Sequence, residues 1–167
     1  MRRWLGTLVL SAALAGLAGP LAGQESGIPV GSKAPSVSIH DLDGKPVDLG
    51  QYLGRKPVLL EFWATWCELC MELLPRVKAA HQEFGDRVEF LGVNVTVNQT
   101  PERVRRYLET NHPPFRTLYD DQGTSIRAYQ VPATSYVVVV DAGGKVVYTG
   151  TGGTQDIAAI LRGVTAH

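Results

Sequence analysis

Val58-Leu-Leu-Glu-Phe-Trp63-Ala-Thr-Trp-Cys67-Glu-Leu-Cys70 decides how this chain folds. Its first six residues are an almost continuous apolar run of strand length, broken only by Glu61. Such a run suits a strand covered on both faces, as in a parallel sheet. Ala64 to Trp66 end the strand. A helix is expected from near Cys67, with Leu69, Leu73, Val77, Ala80 and Phe84 along its buried side and Gly85 closing it. Pro75 falls inside that helix and should kink it, because it lacks a donor and crowds the preceding turn. Cys67 therefore stands at a helix start, where unpaired N–H groups and the helix dipole favour a thiolate. Cys70 lies one turn on, on the same face, within disulfide reach.

Outward from this segment, the pattern alternates. Upstream, Ser36 to His40, a turn at Asp41 to Gly44, and Lys45 to Leu49 read as an N-terminal β-hairpin. Downstream, Val88 to Val95 is a strand. Thr100-Pro101-Glu102 opens a helix with a cap, a first-turn proline and an early acid. Phe115 to Tyr119 is a short strand and Thr124 to Tyr129 a short helix. Tyr136 to Val140, a turn at Asp141 to Gly144, and Lys145 to Thr149 form a second hairpin. Thr154 is the expected cap of a last helix with Ile157, Ile160, Leu161 and Val164 inward. Strands alternating with helices imply an α/β fold: a central mixed β-sheet flanked by helices, with an extra N-terminal β-hairpin.

The 167 residues suffice for one domain, and the formal net charge is zero. No global field therefore favours nucleic acid or an anionic membrane, and no repeat or oligomer signal stands out, so a monomer is expected. Arg2 and Arg3, an apolar stretch from Trp4 to Ala18, and the small residues around Pro20 to Gly23 follow the grammar of a secretory signal peptide. An uncleaved anchor is the alternative, since the apolar run approaches the ~20 residues a spanning helix needs. The expected division is a signal peptide over 1–23, a linker over 24–33 and the folded domain over 34–167, outside the cytoplasm.

The chain has two cysteines. A pair two residues apart closes too small a loop to stabilise much by restricting the unfolded chain, so redox chemistry is the stronger reading. Zinc is disfavoured: there is no second cysteine pair, and His40, His81, His112 and His167 lack ligand spacing. Met71 after Cys70 excludes the haem-attachment motif.

With Phe62-Trp63-Ala64-Thr65-Trp66-Cys67-x-x-Cys70, Pro75 in the helix and Asp141-Ala-Gly-Gly-Lys145 at the last hairpin, the chain resembles the thioredoxin superfamily, in its exported TlpA/ResA-like thiol:disulfide interchange branch. The resemblance spans about residues 30 to 165. It implies a thioredoxin-like fold and a protein-disulfide reductase of the bacterial envelope. Disulfide-bearing client proteins, for example in cytochrome c or metal-centre maturation, would be reduced, and a membrane thiol donor would supply electrons. Cys67 would be the nucleophile and Cys70 the resolving thiol. No organic cofactor is required, because the electrons reside in the sulfurs.

Glu61 occupies the place of the buried acid in thioredoxin, where this branch often has Asn. Burial would raise its pKa toward neutrality, the range useful for taking a proton from Cys70; an ordinary solvent-reaching glutamate is the alternative. Glu68, between the cysteines, opposes the helix-terminus stabilisation of the Cys67 thiolate and should make the pair more reducing. Trp63 and Trp66 are expected to shape the surface around the pair. The resemblance also calls for a cis-proline opposite the cysteines. Pro132 is one candidate, but a gapless match from Ala128 to Asp141 puts Ser135 there. Thr134-Ser135 is then expected to be trans, since a cis bond outside proline costs about 3 kcal/mol. Pro132, Thr134, Ser135 and Trp66 are the candidate substrate contacts. Two rival functions use the same cysteines: a thiol peroxidase, and a copper-delivery module with soft Cu(I) ligands.

Overall fold

The computed structural model describes residues 26–166. The proposed signal segment and the start of the linker lie outside that range.

The apolar run becomes β3 (Val58–Trp63), with all six residues buried. It pairs in parallel with β4 (Glu89–Val95) on one side and antiparallel with β6 (Tyr136–Val140) on the other. With β1 (Ser38–His40), β2 (Pro46–Asp48), β5 (Arg116–Asp120) and β7 (Val146–Thr151), the sheet runs β2-β1-β5-β4-β3-β6-β7. The sheet is mixed, and the N-terminal hairpin extends it through β5. Among the described residues, four α-helices complete the expected architecture: α1 (Glu68–Phe84), α2 (Pro101–Asn111), α3 (Thr124–Ala128) and α4 (Ile157–Thr165).

Alternation along β3 splits the core in two. Val58, Leu60 and Phe62 face Leu49, Tyr129 and the N-terminal segment. Leu59 faces Leu73, Val77 and Phe84 of α1 and Leu161 of α4. Trp63, on that second face, packs near Cys67, Cys70 and Val104 of α2.

The two hairpin turns share one chemistry. The Oδ1 atoms of Asp41 and Asp141 each accept the N–H groups two and four residues on, all at 2.9 Å. This is the local Asx hydrogen bonding that makes Asp a turn former.

α1 begins where expected, at Glu68 with Cys67 as its N-cap. Other expectations are corrected. Leu69 is exposed, and Cys70 takes the inward place. Gly85 does close α1, in helical rather than left-handed geometry. Asp156, not Thr154, caps α4 by accepting from the Ala159 N–H at 3.0 Å. β7 runs on to Thr151, which pairs with Tyr136, so the chain turns into α4 later than expected.

The stretch read as linker is docked from Ile28 onward. Ile28 is buried and its N–H reaches the Tyr129 carbonyl and the Tyr136 hydroxyl, both at 3.1 Å. Gly31 N–H donates to Val146 O at 2.8 Å, and Val146 N–H to Ser32 O at 2.9 Å. These residues follow β7 and cover one core face, which their Gly/Ser/Pro composition conceals.

Candidate active site

β3 delivers the chain to the site. Ala64 O accepts the Cys67 N–H at 3.2 Å, closing a tight turn, and α1 starts at the next residue. Cys67 Sγ accepts the Cys70 N–H at 3.0 Å, so its sulfur occupies the helix N-cap position. This is the place where a thiolate gains from the helix terminus. Cys67 and Cys70 are joined in a disulfide with a Cα–Cα distance of 5.2 Å. Both are largely covered, but their surroundings are not. Trp66 (46% exposed), Leu69, Met71 and Val97 form an open apolar collar.

Trp63 departs from expectation: it is core, not surface. Its indole stacks on Tyr107 at 5.0 Å and Phe115 at 5.6 Å. Trp66 alone faces outward, and its Nε1 donates to Val97 O at 2.8 Å. The loop after β4 also supplies Gln99, whose Oε1 accepts the Thr65 N–H at 3.1 Å and Asn94 Nδ2 at 3.4 Å. Asn94 Nδ2 also donates to Trp63 O at 3.3 Å. Nothing in the sequence pattern marks Gln99 or Asn94, because their bonds to Thr65 and Trp63 span 34 and 31 residues.

Glu61 is 2% exposed. On β3 it stands between Leu59, which packs on Leu73, and Trp63, which packs near Cys70. Its carboxyl therefore lies on the face covered by the first turns of α1. Burial pushes its pKa from 4.5 up to about 8. Its Oε2 has no protein partner. Across the sheet it pairs with Gly92, over which the Phe115 ring lies so closely that any Cβ would strike it. Gly92 thus admits an aromatic ring beside the acid. The Tyr107 phenol is pushed up by its own burial and by the charge of Glu61.

Ser135 is buried immediately before β6, and Tyr136 pairs with Phe62. Ser135 therefore stands level with Trp63, at the disulfide end of the sheet. No cis peptide bond occurs among the described residues, so Thr134-Ser135 is trans and Pro132 supplies no cis-proline. Ser135 instead has φ +59°. Pro132 is exposed and Thr134 half-buried on the loop leading to it.

Among the described residues no group of His, Cys, Asp or Glu is arranged to hold a metal, and no helix is long and apolar enough to cross a membrane. A cavity of about 500 Å³ lies at the other end of β3, between Lys56, Arg87 and Asp141.

Residues 29–161 match the family model described as Redoxin. The thioredoxin-like protein YneN of Bacillus subtilis is 32% identical over 131 residues, covering 77% of this chain and 76% of that protein. The thiol-disulfide oxidoreductase ResA of Bacillus subtilis is 33% identical over 132 residues, covering 78% and 72%. The crystal structure of the thioredoxin domain of a thiol-disulfide oxidoreductase from Bacteroides vulgatus has a TM-score of 0.71 at 23% identity, covering 83% of this chain and 99% of that one.

Proposed function

Because the chain belongs to the Redoxin family, as a ResA-like thiol-disulfide oxidoreductase of the thioredoxin superfamily, we propose that it reduces disulfides in client proteins outside the cytoplasm. The observation that carries this reading is a Cys67–Cys70 disulfide at a helix N-terminus, ringed by exposed apolar side chains rather than sunk in a cavity. A small peroxide needs no such collar; a protein client does.

The dithiol form begins the cycle. The Cys67 thiolate attacks one sulfur of the client disulfide, that S–S bond breaks, and one client thiolate leaves. Cys70 then gives its proton to Glu61 and attacks Cys67 Sγ of the mixed disulfide, expelling the second client thiolate. Two electrons have passed to the client, and Cys67 and Cys70 end as the disulfide. An external dithiol, in this reading a membrane thiol donor, restores them. The buried Glu61 suits the proton step because its raised pKa lies near the working pH.

The reducing direction is supported by Glu68, which lies between the cysteines. Negative charge there works against a Cys67 thiolate and so against the reduced form. Export is supported by the grammar of residues 1–23, whether as a cleaved signal or an anchor. The apolar collar at Trp66 and the loop of Pro132, Thr134 and Ser135 are the proposed client contacts.

Trapping tests the reading. Cys70→Ser should accumulate a mixed disulfide between Cys67 and a protein disulfide probe such as insulin, and Cys67→Ser should form none. Equal trapping by both variants, or by neither, would contradict the assigned roles.

A further inference from the structure

Ser135 is a buried residue with a Cβ, held in the left-handed region at φ +59°. Such a conformation persists only where the surroundings enforce it. Here the enforcing groups come from the end of β7 and the approach to α4. Gly152 N–H donates to Ser135 O at 3.1 Å, and Ser135 Oγ donates to Gly152 O at 3.1 Å. The Gln155 side-chain amide bridges the pair, donating to Ser135 O at 3.2 Å and to Gly152 O at 2.7 Å. Tyr148 hydroxyl donates to Gln155 Oε1 at 3.0 Å, which orients the amide so that both its N–H groups meet carbonyls.

The next residue ties this cluster to the active-site helix. Gly153 is buried against Glu72, two residues past Cys70, so closely that a Cβ would strike the carboxylate. On the other side, the backbones of Ala133 and Thr134 form no hydrogen bond within the described chain. The loop is thus fastened at its base and open along its outer edge.

We propose that Gln155 is a positioning residue for client docking, holding the 132–135 loop beside the disulfide in one conformation through Ser135 and Gly152. This rests on the reading of the chain as a disulfide reductase. A loop already ordered spares the client the entropy of ordering it, so the benefit appears in binding rather than in the sulfur chemistry.

The test is steady-state reduction of insulin by the full chain, with dithiothreitol as terminal reductant. Gln155→Ala should raise KM about 5- to 10-fold with kcat held within about two-fold. Gln155→Glu, which sets a carboxylate against two carbonyl oxygens, should raise KM further. Tyr148→Phe, a milder change, should raise KM about two-fold and keeps the test open if Gln155→Ala folds poorly. Parental KM in the Gln155 variants, with or without a lowered melting temperature, would overturn the proposal. So would a loss that falls on kcat rather than on KM. A parent chain that reduces no disulfide at all would instead bring down the functional reading on which the proposal stands.

Discussion

Two loops meet at the disulfide end of the sheet, and they are built in opposite ways. Residues 64–67 leave β3 with ordinary backbone geometry, Cys67 having φ −82° and ψ 106°. Their form follows from a strand running into a helix, and Gln99 secures them from outside. Residues 132–135 enter β6 through the left-handed Ser135, a form their own sequence does not favour. A distant glutamine, Gln155, is bonded at the point of strain. The first loop carries the reactive Cys67 sulfur and is mostly locally encoded. The second carries no reactive atom and depends on tertiary partners. Changes in the first should therefore fall on chemistry, and changes in the second on stability and docking.

The largest effect is expected at Cys67. Cys67→Ser removes the nucleophile, and insulin reduction should drop to the rate of the added dithiol alone.

Glu61→Gln comes next. Removing a general base costs on the order of 10²-fold, read here as the rate of mixed-disulfide resolution by stopped-flow trapping. In the parent that rate should climb as pH rises through about 8, where the carboxyl ionises, and in Glu61→Gln the climb should disappear. Stability carries the opposite sign. The folded state keeps the Glu61 proton up to about pH 8 while the unfolded chain releases it near 4.5. Stability should thus fall between those pH values in the parent, and Glu61→Gln should remove that slope in denaturant titrations.

Ser135→Pro breaks the second loop. Proline fixes φ near −65°, incompatible with the observed +59°, and should cost about 3 kcal/mol by thermal or denaturant unfolding. Gln99→Ala should cost about 1–3 kcal/mol in the same assay, because the Thr65 N–H loses its acceptor in a half-buried place. The smallest effect is Ser135→Gly, where relief of the left-handed strain roughly balances loss of the bond to Gly152 O, for a net change within about 1 kcal/mol.

The same contrast explains what was legible in the sequence. The β3 run, the Cys-x-x-Cys at a helix start, the Thr100-Pro101 cap and the paired Asp41 and Asp141 turns are all local signals, and each formed as read. Periodicity assigns Leu69 a side but not what lies opposite it, and it stays exposed. Trp63 belongs to the run read as covered on both faces; its place near the cysteines in sequence points to a surface role, but Tyr107 and Phe115, some 40 and 50 residues away, cover it. Ile28 was hidden in a stretch whose composition reads as linker, although Tyr129 and Tyr136 hold it. Gln99 and Gln155 carry no motif at all. A glutamine signals nothing until a fold brings unpaired backbone groups to it.

The reduction potential of the Cys67–Cys70 pair tests the central claim most directly. The full chain would be equilibrated in dithiol–disulfide buffers and its thiols trapped at each ratio. A midpoint at or below that of thioredoxin, about −270 mV, is the predicted result. A midpoint near that of a strong oxidant, about −120 mV, would contradict the account and reverse the direction of electron flow.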